Sequence, residues 1–191
     1  MHLKPIITII CIFCVGIGFL LSLTSEAAYC ADTATVIKLN TILRESSSEE
    51  SEKVLLLKKA AVLALIDRED SDGWLNVIDI KTGKEGWVKK KHVSLVLSNK
   101  PKPELVFNDD KIDEISNPEI EVENVSDKDL TLKVSDARFV VPKHSKKAVI
   151  VPPGEHKYHA SAPNVYPAIG KNDFRTGHRY TWKFWIESRR R

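Results

Sequence analysis

The sequence predicts an all-β fold in two units behind an apolar leader. Three observations carry this. Short strand-like runs recur between residues 34 and 97, and turn signals such as Asp72-Gly73 and Thr82-Gly83 break them. A second series of runs, from Pro118 onwards, alternates apolar and polar residues, as half-buried antiparallel strands do. Between the two series lies Lys100-Pro101-Lys102-Pro103, where X-Pro steps hold the backbone extended and exclude helix.

The leader comes first. Residues 1–5 carry one lysine, residues 6–23 form an almost unbroken apolar run, and residues 22–28 are small or polar. This is the layout of a secretory signal peptide, a signal helix over residues 1–27. Ser25 and Ala27 stand where a signal peptidase reads, so cleavage after Ala27 is expected, with Ala28 and Ala31 as alternatives. The run is also near bilayer-spanning length, so a retained membrane anchor is the rival reading. Tyr29 precedes Cys30 where a lipobox would want Gly or Ala, which breaks the lipidation motif. Cys11 and Cys14 lie inside the leader and only Cys30 follows it. No internal disulfide is therefore expected, and folding must rest on burial.

The first unit is expected over residues 33–98. Residues 35–39 open it, and Thr41-Ile42-Leu43-Arg44 follows. The Ser/Glu run 45–52 has little apolar content and reads as a rim loop. Residues 54–57 and 62–66 are strands on either side of Lys58-Lys59-Ala60-Ala61. Residues 74–80 alternate in part, residues 86–88 follow a hairpin tip at 82–84, and residues 93–96 close the set.

These residues resemble a bacterial SH3-like (SH3b) domain over about a third of the chain. The early Leu-Arg element matches at Leu43-Arg44, and the paired strands around a basic turn match at 54–66. The two Gly-Trp steps match at Gly73-Trp74 and Gly86-Trp87-Val88, and VSLV matches the closing strand. The family's usual Ser-Gly-Pro after the arginine is Glu45-Ser46-Ser47 here. The resemblance implies a small SH3-like β-barrel and a binding role. If the family mode holds, the ligand lies near loop 45–52 and the turn before Trp74. Arg44, Asp72, Trp74 and Trp87 are then the candidate contacts. Indole faces can stack on sugars or clamp a peptide. In a domain this small, however, tryptophans are usually half-buried core, and core is the expectation for both Trp74 and Trp87.

Residues 99–117 are expected to connect the units, with Leu105-Val106-Phe107 as a candidate start of the second. The second unit is expected over residues 118–187, as an antiparallel β-sandwich. Its candidate strands are residues 120–123, 130–134, 138–141, 148–151, 157–160 and 180–186, with a tight turn at Pro152-Pro153-Gly154. In the last strand Tyr180, Trp182, Phe184 and Ile186 share the core face. Trp185 falls opposite them, either as a contact surface or beneath the loop 162–173. Residues 188–191 are a basic tail.

The formal charge of +3 is uneven. Residues 118–191 hold 14 Lys or Arg against 9 Asp or Glu, and residues 33–98 hold 11 against 10. The cations of the second half are scattered among acids, which reads as a solvated surface, with an anionic partner as the alternative. Nucleic acid is not expected for an exported chain.

No catalytic set is visible. Cys30 precedes every folded element, so no structured thiol meets a histidine. His156 and His159, three apart in a strand, face opposite sides, and His178 is distant. Exposed histidines are expected, with no metal and no cofactor. Asp67, Asp70 and Asp72 alternate but lack the Gly and closing Glu of a calcium loop. The resemblance thus implies an exported, periplasmic or extracellular, non-catalytic binding protein of the cell envelope, contacting peptidoglycan peptide or glycan. The alternative is an adaptor that binds an envelope protein through the second unit.

Overall fold

The computed structural model describes residues 32–68, 71–98, 107–112 and 115–185. The leader, Cys30, Asp70, Ile186 and the basic tail lie outside the described residues. The described chain is all-β, with a single 3₁₀ turn at Lys90–His92.

Seven strands build the first unit: β1 (Thr33–Val36), β2 (Thr41–Arg44), β3 (Lys53–Leu57), β4 (Val62–Leu65), β5 (Trp74–Asp79), β6 (Lys84–Lys89) and β7 (Val93–Val96). They form one antiparallel sheet in the order β3-β2-β6-β5-β4-β1-β7. All seven contribute to one core of Ala, Val and Leu, including Leu43, Leu63, Leu75 and Val88, so the sheet curls around its own inner face. The start and end of the unit meet at buried Asp32. Its carboxylate accepts the Arg68 guanidinium at 2.7 and 3.0 Å and the Ser98 amide at 2.8 Å.

Two local devices set the geometry of β5 and β6. Asp72 and Gly73 both have positive φ (51° and 81°), and Ser71 and Trp74 exchange two backbone hydrogen bonds of 2.9 Å across them. This is the turn that matches strand twist, and glycine adopts it without steric cost. At Gly86 a Cβ would lie 2.6 Å from the Arg44 carbonyl oxygen and 2.7 Å from Leu43 Cγ. Only glycine lets β2 approach β6 here, which is where Arg44 pairs with Trp87.

The second unit has eight strands: β8 (Asn108–Lys111), β9 (Glu119–Asn124), β10 (Leu130–Val134), β11 (Ala137–Val141), β12 (Ser145–Ile150), β13 (Gly154–Ser161), β14 (Ala168–Phe174) and β15 (His178–Phe184). They form two four-stranded sheets, β11-β10-β13-β14 and β12-β9-β15-β8, in a sandwich-like arrangement. Three features depart from expectation. Residues 168–174, which fall largely in the expected loop 162–173, form a strand paired with β13. Residues 108–111, placed in the connecting segment, form a strand paired with β15. The β9–β15 pair is parallel rather than antiparallel. The core is aromatic. Phe174 has no exposed surface and meets Tyr180 and Phe107 edge-on, at ring-centroid distances of 5.1 and 5.9 Å. The buried Tyr180 hydroxyl accepts the Arg175 amide at 2.8 Å and donates to the Asp173 carbonyl at 3.1 Å. Buried Asn124 is also satisfied, donating to the Lys128 and Val141 carbonyls and accepting from Ser126.

The two units are joined by polar contacts. Lys133 Nζ reaches both Glu85 oxygens at 2.9 and 3.2 Å, Lys157 Nζ reaches Asp67 at 2.8 Å, and Ser161 Oγ donates to the Gly83 carbonyl at 3.1 Å. The Asn164 amide donates to the Ile80 carbonyl at 2.8 Å.

Candidate functional site: a basic cleft over Trp74

Strand alternation decides where the tryptophans of the first unit go. Leu75 pairs with Val88 and Val77 with Gly86, facing the core. Trp74 pairs with Lys89, Asn76 with Trp87 and Ile78 with Glu85, so all six occupy the other face. Trp74 and Trp87 both stay outside the aliphatic core cluster. Trp74 is nonetheless only 8 % exposed, and Trp87 is half-buried.

Trp74 forms part of a cleft of about 590 Å³, lined also by Glu49, Asp72, Gly73 and residues 89–91. The rim loop, the acidic turn and the basic end of β6 thus converge. Lys89 lies with Nζ 5.4 Å from the Trp74 ring centroid and pairs with Glu49, a position where the ring quadrupole attracts a cation. Arg44 holds the base of the loop, its Nη1 donating to the Ser51 carbonyl at 2.7 Å. The Glu45 amide donates to the Glu52 carbonyl at 3.0 Å beside it.

The surroundings are strongly cationic. Burial, then the like charges of Lys91, Arg44 and Lys38, push the Lys89 ammonium below its ordinary pKa. Burial, then Lys38, Lys91 and Lys89, do the same to His92. Lys38 Nζ lies 3.3 Å from His92 Nε2. The lysines of the lining outnumber its acids, Glu49 and Asp72, and this cationic excess beside a buried ring favours a bound anion.

Of the five residues singled out from sequence, Asp72 and Trp74 line this cleft and Arg44 braces its loop. Trp87 borders a neighbouring groove with Glu45, Asn76 and, from the second unit, Arg138. Trp185 stands apart at the end of β15 and remains 58 % exposed.

The joint between the units was not visible in the sequence. Glu85 is at its centre, with His159 Nε2 3.4 Å from its second oxygen opposite Lys133. Burial alone would raise the Glu85 carboxyl, but the hydrogen bonds and charges of His159 and Lys133 outweigh it and hold the pKa at about 2. His159 is buried, 6 % exposed, which corrects the expectation of an exposed histidine. A second cleft, of about 650 Å³, opens beside this joint. A smaller charge cluster lies elsewhere on the second unit. There Asp109 accepts His178 Nδ1 at 2.7 Å and pairs with Arg175; burial opposes ionisation, but these two partners hold the carboxyl below its ordinary pKa.

Among the described residues no group of three His, Cys, Asp or Glu is placed to hold a metal ion. No described helix is long and apolar enough to cross a membrane. Comparison with protein-family models, with curated proteins and with solved structures finds no match.

Proposed function

We propose that the chain is an exported, non-catalytic binding protein of the cell envelope, whose SH3b-like first unit holds an acidic portion of the cell wall at the Trp74 cleft. One observation carries this reading. Lys89, Lys90 and Lys91 line a cleft floored by the Trp74 indole and outnumber its two acids, Glu49 and Asp72, while burial, then the like charges of Lys91, Arg44 and Lys38, lower the proton affinity of Lys89. A carboxylate-bearing wall peptide meets that rim with opposite charge, and its apolar portions meet the indole.

The test is co-sedimentation of the purified chain with peptidoglycan sacculi at low and high salt. Retention is expected at low salt and falls as salt screens the rim. Lys38 and Lys91 are exposed, so Lys38→Glu with Lys91→Glu should leave the fold intact and lower retention by about tenfold. Absence of retention at low salt, or retention indifferent to the double reversal, overturns the reading.

A second reading is an adaptor for an envelope protein, favoured by Trp185, whose ring is 58 % exposed on the second unit. It predicts no sacculus retention and a crosslinked partner protein that Trp185→Ala loses.

A further inference from the structure

We propose that the cleft between the two units is a second binding site, one that takes a neutral, hydroxyl- and amide-rich ligand of the glycan class. The cleft encloses about 650 Å³ and draws its walls from both units. Ligand sites form preferentially at such junctions. The wall from the first unit is carried by Asn76, Glu85 and Asp67, and the wall from the second by β10, β13 and β14. Two ion pairs, Lys133 to Glu85 at 2.9 Å and Lys157 to Asp67 at 2.8 Å, tie the walls together. The cavity is therefore held open by contacts the protein makes with itself, and little ordering remains to be done on binding.

The charge pattern selects the ligand class. Each lysine of the lining is matched to a carboxylate: Lys133 to Glu85, Lys157 to Asp67, and Lys171 to Glu155 at 3.2 Å. An anionic ligand would have to displace a carboxylate, and a cation would meet only the exposed Asp136 carboxylate that is not already matched to a lysine of the lining. A neutral ligand displaces no paired group. Its hydroxyls can donate to carboxylate oxygens and accept from ammonium N–H groups that a single partner leaves over. Ile66, Ile169 and Gly170 supply the non-polar surface against which a sugar ring can lie. Two lining residues also keep a buried polar atom without a hydrogen-bond partner, Asn76 Oδ1 and His156 Nε2, while His156 Nδ1 is engaged with Ser135 Oγ at 2.7 Å. Unpartnered buried polar atoms are uncommon in folded proteins, and the acetamido or hydroxyl groups of a bound saccharide are of the kind that would satisfy them after a side-chain adjustment.

This inference extends the wall-binding reading but stands on a different site, so the two can fail separately. The test is calorimetric titration of the full chain with chitotetraose, a neutral N-acetylated tetrasaccharide. Saturable binding is expected, weaker for cellotetraose, which lacks the acetamido groups. Lys171→Trp adds bulk to an exposed position of the β14 wall and is expected to weaken binding by about tenfold. Asp136→Ala, which removes an exposed lining carboxylate, is expected to weaken it by about threefold. The Lys38→Glu, Lys91→Glu protein should bind chitotetraose unchanged while losing sacculus retention. Absence of heat with chitotetraose up to about 10 mM, or equal affinity in the Lys171→Trp protein, overturns the proposal, as does preferential binding of an anionic peptide in this cleft.

Discussion

The two units solve the same packing problem with opposite choices of side chain. The first fills a curled sheet with Ala, Val and Leu and places its tryptophans on the sheet face away from that cluster. The second buries Tyr158, Phe174, Tyr180, Trp182 and Phe184 between two sheets. A small curled sheet leaves little interior volume, so aliphatic side chains fill it and an indole does not fit without strain. A sandwich holds two facing layers about 10 Å apart, and large rings span that gap. The consequence is that Trp87 is left half-buried in the first unit, whereas the rings of the second hold the fold.

Predictions follow from breaking this contrast. The largest effect is expected in the second unit, where Phe174→Ala removes a ring with no exposed surface and should cost about 3–5 kcal/mol, read from urea denaturation. Leu75→Ala, fully buried in the aliphatic core, should cost about 2–4 kcal/mol. Gly86→Ala sets a methyl 2.6 Å from the Arg44 carbonyl oxygen and should cost about 1–3 kcal/mol, with faster hydrogen exchange at the β2–β6 contact. Trp87→Ala should cost less than Leu75→Ala despite removing a far larger side chain. If it costs more, the outward placement of the indole is not what the alternation implies.

Acid sharpens the comparison at the joint. The Glu85 pKa is lowered to about 2 from its ordinary value near 4.5. Its stabilising contribution is therefore complete above the unfolded value and is lost as pH falls from about 4.5 towards 2. Glu85→Gln should be less stable at neutral pH and should flatten the stability profile in that window. An unchanged slope there would remove Glu85 from the centre of the joint. The smallest effect is expected at Trp185→Ala, within about 0.5 kcal/mol, because the ring is largely in solvent.

What was legible in the sequence divides along the same physical line. Strand β10 appears where Leu130, Leu132 and Val134 alternate with polar residues, and the alternation is the core contact itself. Strands β8 and β14 were missed, because neither carries a regular apolar alternation. Strand β8 is exposed throughout and is held by backbone pairing, which leaves no apolar pattern to read. The orientation of Trp87 was legible in principle, since Val88 beside it and Leu75 opposite claim the inner face. The expectation rested instead on the usual half-buried state of tryptophan in a small domain. Loop 45–52 and the turn before Trp74, both singled out from the sequence, each contribute to one cleft, through Glu49 and through Asp72 and Gly73. The lysines that complete that cleft, and the triad of Glu85, Lys133 and His159, depend on tertiary placement that no spacing along the chain encodes.

The parallel pairing of β9 with β15 bears on the order in which the second unit can be assembled. Strand β15 lies between β9 and β8 and is the only bonded neighbour of β8 among the described strands. A chain emerging from its N-terminal end can therefore zip β10, β11, β13 and β14 together by hairpin and short-range pairing, but the opposite sheet has a gap at its centre until residues 178–184 arrive. Until then the β9–β12 pair covers only part of the core, and Tyr180, Trp182 and Phe184 of β15 are missing from the aromatic layer. Folding of this half is set by its last segment, a long-range closure of the slow kind, and a chain cut short before His178 would be left half-built rather than merely shortened.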